Sequence, residues 1–125
     1  MSQGKTIVCV DDDKTARFLM EKFVEHIGEF NTVSLDSGRA CVDYLRQHSA
    51  DLVFLDFNLG DMDGAEVCEA IAAQSCNPDV PVIVLSVMDS VDIERKFSYP
   101  HLFKVVQKPY AMEAMRSDID ELLDH

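Results

Sequence analysis

Leu52-Val53-Phe54-Leu55-Asp56 is four apolar residues in a row closed by an acid. A strand with one wet face alternates apolar and polar side chains, so a short run without alternation fits a strand covered on both faces. Ile7-Val8-Cys9-Val10 and Val82-Ile83-Val84-Leu85 read the same way. These three are expected at the centre of a sheet. Thr32-Val33-Ser34-Leu35 and Leu102-Phe103-Lys104-Val105-Val106 are diluted by polar residues and are expected at its edges, where one flank meets water.

Helical spacing fills the gaps. Ala16, Leu19, Met20, Phe23, Val24 and Ile27 paint one face of a helix, and Met112, Met115, Ile119 and Leu122 repeat the pattern near the end. Ala40, Cys41, Tyr44 and Leu45 form a shorter stripe entered through Asp36 or Ser37 as N-cap, and Val67, Cys68, Ile71 and Ala72 form another. Between Asp89 and Tyr99 only Val91, Ile93 and Phe97 make a thin stripe before Pro100, which predicts a short or mobile fourth helix. Strands alternating with helices give a parallel sheet with helices on both faces. Three covered strands and two diluted ones select the order 2-1-3-4-5, a doubly wound, flavodoxin-like α/β fold. The whole chain, 1–125, is expected to be one domain, long enough to bury roughly two-thirds of the surface it exposes unfolded.

The 23 acidic and 11 basic side chains leave a net charge of −12, which argues against binding bare nucleic acid or an anionic membrane. No apolar run approaches the roughly 18 residues a bilayer span needs. The start Met1-Ser2-Gln3-Gly4-Lys5 leads into no apolar signal region, so a cytoplasmic location is expected. Cys9, Cys41, Cys68 and Cys76 show no CxxC spacing, and the first three sit in apolar segments, as reduced core thiols do. His26, His48, His101 and His125 are scattered singly and suggest no metal site.

In this fold, ligands bind beyond the carboxyl ends of the strands near the point where strand order reverses. Asp11, Asp12 and Asp13 follow the first strand, Asp56 closes the third, Ser86 follows the fourth and Lys108-Pro109 the fifth. Like charges about 4 Å apart repel by roughly 4 kcal/mol per pair at an effective dielectric near 20, so the acids call for a counter-ion. Oxygen donors without His or Cys suit a hard divalent cation, magnesium better than calcium. Any one of these aspartates is plausible as a chance loop residue; the set together with Lys108 is not.

The segments Ile7 to Asp12, Leu55 to Gly64, Pro81 to Ser86 and Lys108-Pro109-Tyr110 resemble those of response-regulator receiver domains, over essentially the whole chain. The resemblance implies a two-component or phosphorelay phosphoacceptor that takes a phosphoryl group from a phosphohistidine onto Asp56. It implies Mg2+ bound by Asp12, Asp56 and the Asn58 backbone carbonyl, with Asp11 positioning a metal water, and phosphoryl contacts from Lys108 and Ser86. The implied partners are a sensor histidine kinase or histidine phosphotransfer domain and a downstream target or output domain. Such a domain is a regulator rather than an enzyme. It also implies a cis bond at Lys108-Pro109.

Several positions depart from the family pattern. Val105 takes the usual aromatic switch position, and Val87 stands where a small residue normally follows the hydroxyl, narrowing access. Gly60 replaces a common proline, which predicts a looser loop; Ser86 replaces the more frequent threonine; Asn58 and Met88 hold variable flanking places. Two other readings use the same residues. A receiver-like interaction module that is not phosphorylated fits the Val87 and Val105 departures, and Asp11 with Asp13 satisfies the DxDxT pattern of haloacid-dehalogenase-like phosphatases, though the chain is short for one. An EF-hand-like loop from Asp56 fails at Asp61 and Val67. Receiver length leaves no room here for an output domain, so output is expected through contacts. Lys14, Arg17 and Lys22 are read either as a docking face of the first helix or as a solvated one.

Overall fold

The three unalternating runs are the inner strands of one parallel sheet, β1 (Thr6–Val10), β3 (Leu52–Asp56) and β4 (Val82–Ser86), flanked by β2 (Asn31–Leu35) and β5 (Leu102–Gln107) in the order β2-β1-β3-β4-β5. The structure, a computed structural model, describes residues 4–123; Met1, Ser2, Gln3 and His125, named among the expectations above, lie outside them. β3 and β4 are buried at every residue, whereas β2 has none buried and β5 only Val105. Burial therefore follows the polar dilution read in the sequence.

The inner runs lack alternation because successive side chains enter two different cores. Val8, Val10, Val53, Leu55, Val82 and Val84 pack on one face with Cys41, Val42 and Leu45 of α2 (Gly38–Gln47) and Val67, Cys68 and Ile71 of α3 (Gly64–Gln74). Ile93 of α4 (Ser90–Glu94) joins that core. Ile7, Cys9, Leu52, Phe54, Ile83 and Leu85 face the other way, onto Met20, Val24 and Ile27 of α1 (Lys14–Ile27) and Ile119 and Leu123 of α5 (Arg116–Leu123). A one-residue register slip would exchange the two sets.

The expected stripes need three corrections. Leu19, Ala72 and Val91 are exposed, whereas Leu122 packs half-buried against the core as expected, beside the buried Ile119 and Leu123 of the last helix. The chain enters α5 through a 3-10 turn at Met112–Met115. The fourth helix is short, as expected, with Ile93 its one buried residue. Ser37, not Asp36, caps α2, its side chain accepting the Ala40 N–H.

Candidate functional site

The carboxyl ends of β1 and β3 are neighbours in the sheet, with Val10 beside Leu55, so Asp11 and Asp12 beyond one strand meet Asp56 at the end of the other. Carboxylate oxygens of all three lie within 4.8 Å of one another. Asp56 is buried, and Lys108 reaches over from beyond β5 to place Nζ 2.9 Å from Asp56 Oδ1 and 3.9 Å from Asp11 Oδ2. The Lys108-Pro109 bond is cis, as the sequence led one to expect.

Burial raises the pKa of Asp56 from its ordinary value and the charges of Asp11 and Asp12 push the same way, against the Lys108 hydrogen bond and charge. Asp11 is also raised, chiefly by burial. Among the described residues Lys108 is the ion-pair partner of this three-carboxylate set. An all-oxygen set of three carboxylates, with Asp12 exposed and able to share its cation with water, fits a hard divalent ion. Asn58 lies two residues past Asp56 and faces Asp63 in an isolated antiparallel bridge. The flanking bonds run from the Gly64 N–H to the Phe57 carbonyl and from the Leu59 N–H to the Met62 carbonyl, so that bridge does not consume the Asn58 carbonyl.

Asp13 is not part of the cluster. It caps α1, its Oδ2 accepting the Ala16 N–H at 3.2 Å, which removes the second acid of the phosphatase reading from the crevice. Arg17 does not face outward with Lys14 either: its Nη1 donates to the Asp11 carbonyl at 2.7 Å. Lys22 pairs with Glu25 at 3.4 Å and lies over the Phe18 ring. Ser86 is buried and its Oγ accepts the Met88 N–H at 3.0 Å. Val87 is exposed and, with Leu19, Lys108, Pro109 and Met112, walls a mostly apolar groove of about 470 Å³ floored by Phe54 and Leu85.

Gly60 corrects another expectation. Its φ of +87° lies in the left-handed region, where proline, fixed near −65°, has no place. The loop around it is anchored rather than loose: Asp61 accepts from the Gly38 and Arg39 N–H groups at 3.0 and 2.9 Å, and Asp63 with Glu66 forms a capping box at the start of α3. The Asp63-x-x-Glu66 spacing was available in the sequence as a capping signature. Asp61 had no such signal, because its partners are at the start of a helix more than twenty residues earlier.

Known proteins share this fold. A probable methanogenesis regulatory protein FilR2 of Methanothrix harundinacea is 28% identical over 126 residues, covering 95% of this chain and 81% of its own. The heme response regulator HssR of Staphylococcus saprophyticus is 26% identical, covering 94% of this chain, which spans only 51% of that relative's length. Among solved structures, the receiver domain of the sensor histidine kinase PA1611 of Pseudomonas aeruginosa, described with a magnesium ion coordinated in its active site cleft, aligns with a TM-score of 0.82 at 19% identity over 98% of this chain and 99% of its own. The model of the response regulator receiver domain matches residues 7–120, nearly the full described length. On that match the chain belongs to the response regulator receiver domain family, regulatory phosphoacceptor domains of two-component signalling and not enzymes.

Proposed function

We propose that Asp56 accepts a phosphoryl group from a phosphohistidine in a Mg2+-dependent step, and that this domain signals through the contacts that change as a result. The observation that carries the reading is the Lys108 ammonium 2.9 Å from Asp56 Oδ1 inside a notch that two further carboxylates share. In the transfer an Asp56 carboxylate oxygen forms the new P–O bond, the P–N bond breaks, and its electron pair returns to the imidazole. Asp11, Asp12, Asp56 and the Asn58 carbonyl would hold the ion. Bound there, Mg2+ supplies charge neutralisation for the transferring phosphoryl oxygens.

The chain's own groups do the rest. Lys108 is a flexible point charge, so it can follow the negative charge as this leaves the Asp56 carboxylate for the phosphoryl oxygens. The Ser86 hydroxyl accepts from Met88 and retains its single proton for donation to a phosphoryl oxygen. The donor is a sensor histidine kinase or a histidine phosphotransfer domain, the recipient a downstream target or output domain, and the setting the cytoplasm; the charge of −12 supports neither nucleic acid nor membrane as a direct partner of this domain.

Incubation with a small phosphodonor and Mg2+ tests the reading. The expected result is a mass gain of one phosphoryl group, absent with chelator and absent in Asp56→Ala. A folded protein that stays unlabelled by small donors and by every cognate kinase tried would instead support the interaction-module reading.

A further inference from the structure

The segment Asp11–Asp13 must present two carboxylates to one notch and still deliver the chain into α1 three residues later. Its backbone is held at several points. The Asp11 N–H donates to the Leu35 carbonyl of β2 at 3.1 Å, the Asp13 N–H donates to Asp11 Oδ1 at 2.9 Å, and Asp13 caps α1. The remaining hold is Arg17, whose Nη1 donates to the Asp11 carbonyl at 2.7 Å from one turn inside the helix. That carbonyl belongs to the planar peptide joining Asp11 to Asp12, so fixing its direction fixes ψ of the first acid and φ of the second together. Asp12 is exposed, so little packing substitutes for the hold.

From this we infer that Arg17 is a positioning residue for the cation: it pre-sets Asp11 and Asp12 in the geometry that binds the ion, although it is itself a cation close to the site. The inference rests on the magnesium reading above. Its strength is that the competing accounts predict different signs. The guanidinium is always protonated, so on charge alone its removal should tighten binding of a divalent cation. If Arg17 only supported the fold, removal would lower stability and leave the affinity of the folded protein unchanged. If it positions the acids, affinity falls even though a repelling charge has gone.

The test is Mg2+ titration of the full chain, followed by amide chemical shifts, on wild type, Arg17→Met and Arg17→Lys, each melted separately without metal. Methionine is a good helix former of similar length and keeps α1 and the apolar stem in place. The expected result is binding weakened about tenfold in Arg17→Met, the order found when a group orienting a ligand is lost, with most of the loss recovered in Arg17→Lys, which retains a donor of similar reach. Wild-type binding with equal or tighter binding in Arg17→Met overturns the proposal alone. Absence of Mg2+ binding by wild type overturns both the proposal and the reading beneath it.

Discussion

The loop from Asp11 to Asp13 and the loop from Val87 to Asp89 leave the same edge of the sheet on either side of β3, yet they are held in different ways. The first is tied to β2, to its own carboxylates and to Arg17, and it enters a 14-residue helix through an aspartate cap. The second is tied at its start by the Met88 N–H to Ser86 Oγ bond and also enters its helix through an aspartate cap, Asp89, but that helix has five residues and one buried side chain. Val87 is 73% exposed, and Met88 and Val91 are exposed beside it. Local opening is easiest where buried apolar contacts are fewest, so the acceptor side is the preset half of the crevice and the β4 side the yielding half. On the proposed function, a phosphoryl charge at Asp56 that drew the Ser86 hydroxyl towards it would act on the half with least resistance.

The largest expected effect that sharpens this contrast is in the floor of the preset half. Phe54 is 1% exposed and packs in the core shared with α1 and α5. Phe54→Ala should cost about 4 kcal/mol, read as a lowered urea midpoint with unchanged slope. A cost below about 2 kcal/mol would mean that the groove over Phe54 lets the core collapse into the vacated space, and the preset half would then be no tighter than the other.

The sequence made the sheet legible because burial on both faces removes alternation, and that mark is local to each strand. The convergence of Asp11, Asp12, Asp56 and Lys108 was legible because strand order puts strand ends side by side. Leu19 was misread because three- and four-residue spacing records which side of a helix is apolar and not how far the sheet beneath it extends; Leu19 borders the groove instead of the core. Arg17 was misread as a surface charge because its partner is a backbone carbonyl, which no side-chain pattern reports. Gly60 was read as slack because the sequence showed only the missing proline, while the bonds that hold its loop come from the start of α2. The buried cysteines were legible by their apolar neighbours: burial pushes Cys9, Cys41 and Cys68 up to about 12, leaving them protonated at neutral pH.

A smaller effect tests whether the loop after β3 belongs to the preset half. Asp61 sits across the start of α2, where Gly38 approaches so closely that an added Cβ would lie 2.8 Å from that of Met62. The Arg39 and Gly38 N–H groups hold the Asp61 carboxyl below its usual range. A carboxyl with a lowered folded pKa stabilises above its unfolded pKa of about 3.9, and that contribution is lost as pH falls through the folded value. Asp61 is exposed and water screens its charge, so Asp61→Ala should cost at most about 1 kcal/mol at neutral pH, the lower range for loss of a helix cap, and the gap between wild type and variant should narrow in acid. A gap that persists unchanged well below the unfolded pKa would remove the carboxylate as its cause.

The smallest effect belongs to the yielding half and is the one most able to break the contrast. Val91 is a branched apolar side chain on α4, yet it is 52% exposed, and the helix is anchored by Ile93 instead. Little apolar area leaves water there on folding, so Val91→Ser should change stability by no more than about 0.5 kcal/mol. Ser90 and Asp92 beside it already tolerate polarity, and Asp89 keeps its cap bonds to the Val91 and Asp92 N–H groups whatever side chain position 91 carries. Urea unfolding of Val91→Ser against wild type measures this directly. A loss well above that bound would mean that Val91 is covered in solution and the β4 side packed as firmly as the β1 side; a change near zero leaves Val91 without a part in holding the fold, free to rearrange if Asp56 takes up a phosphoryl charge as proposed.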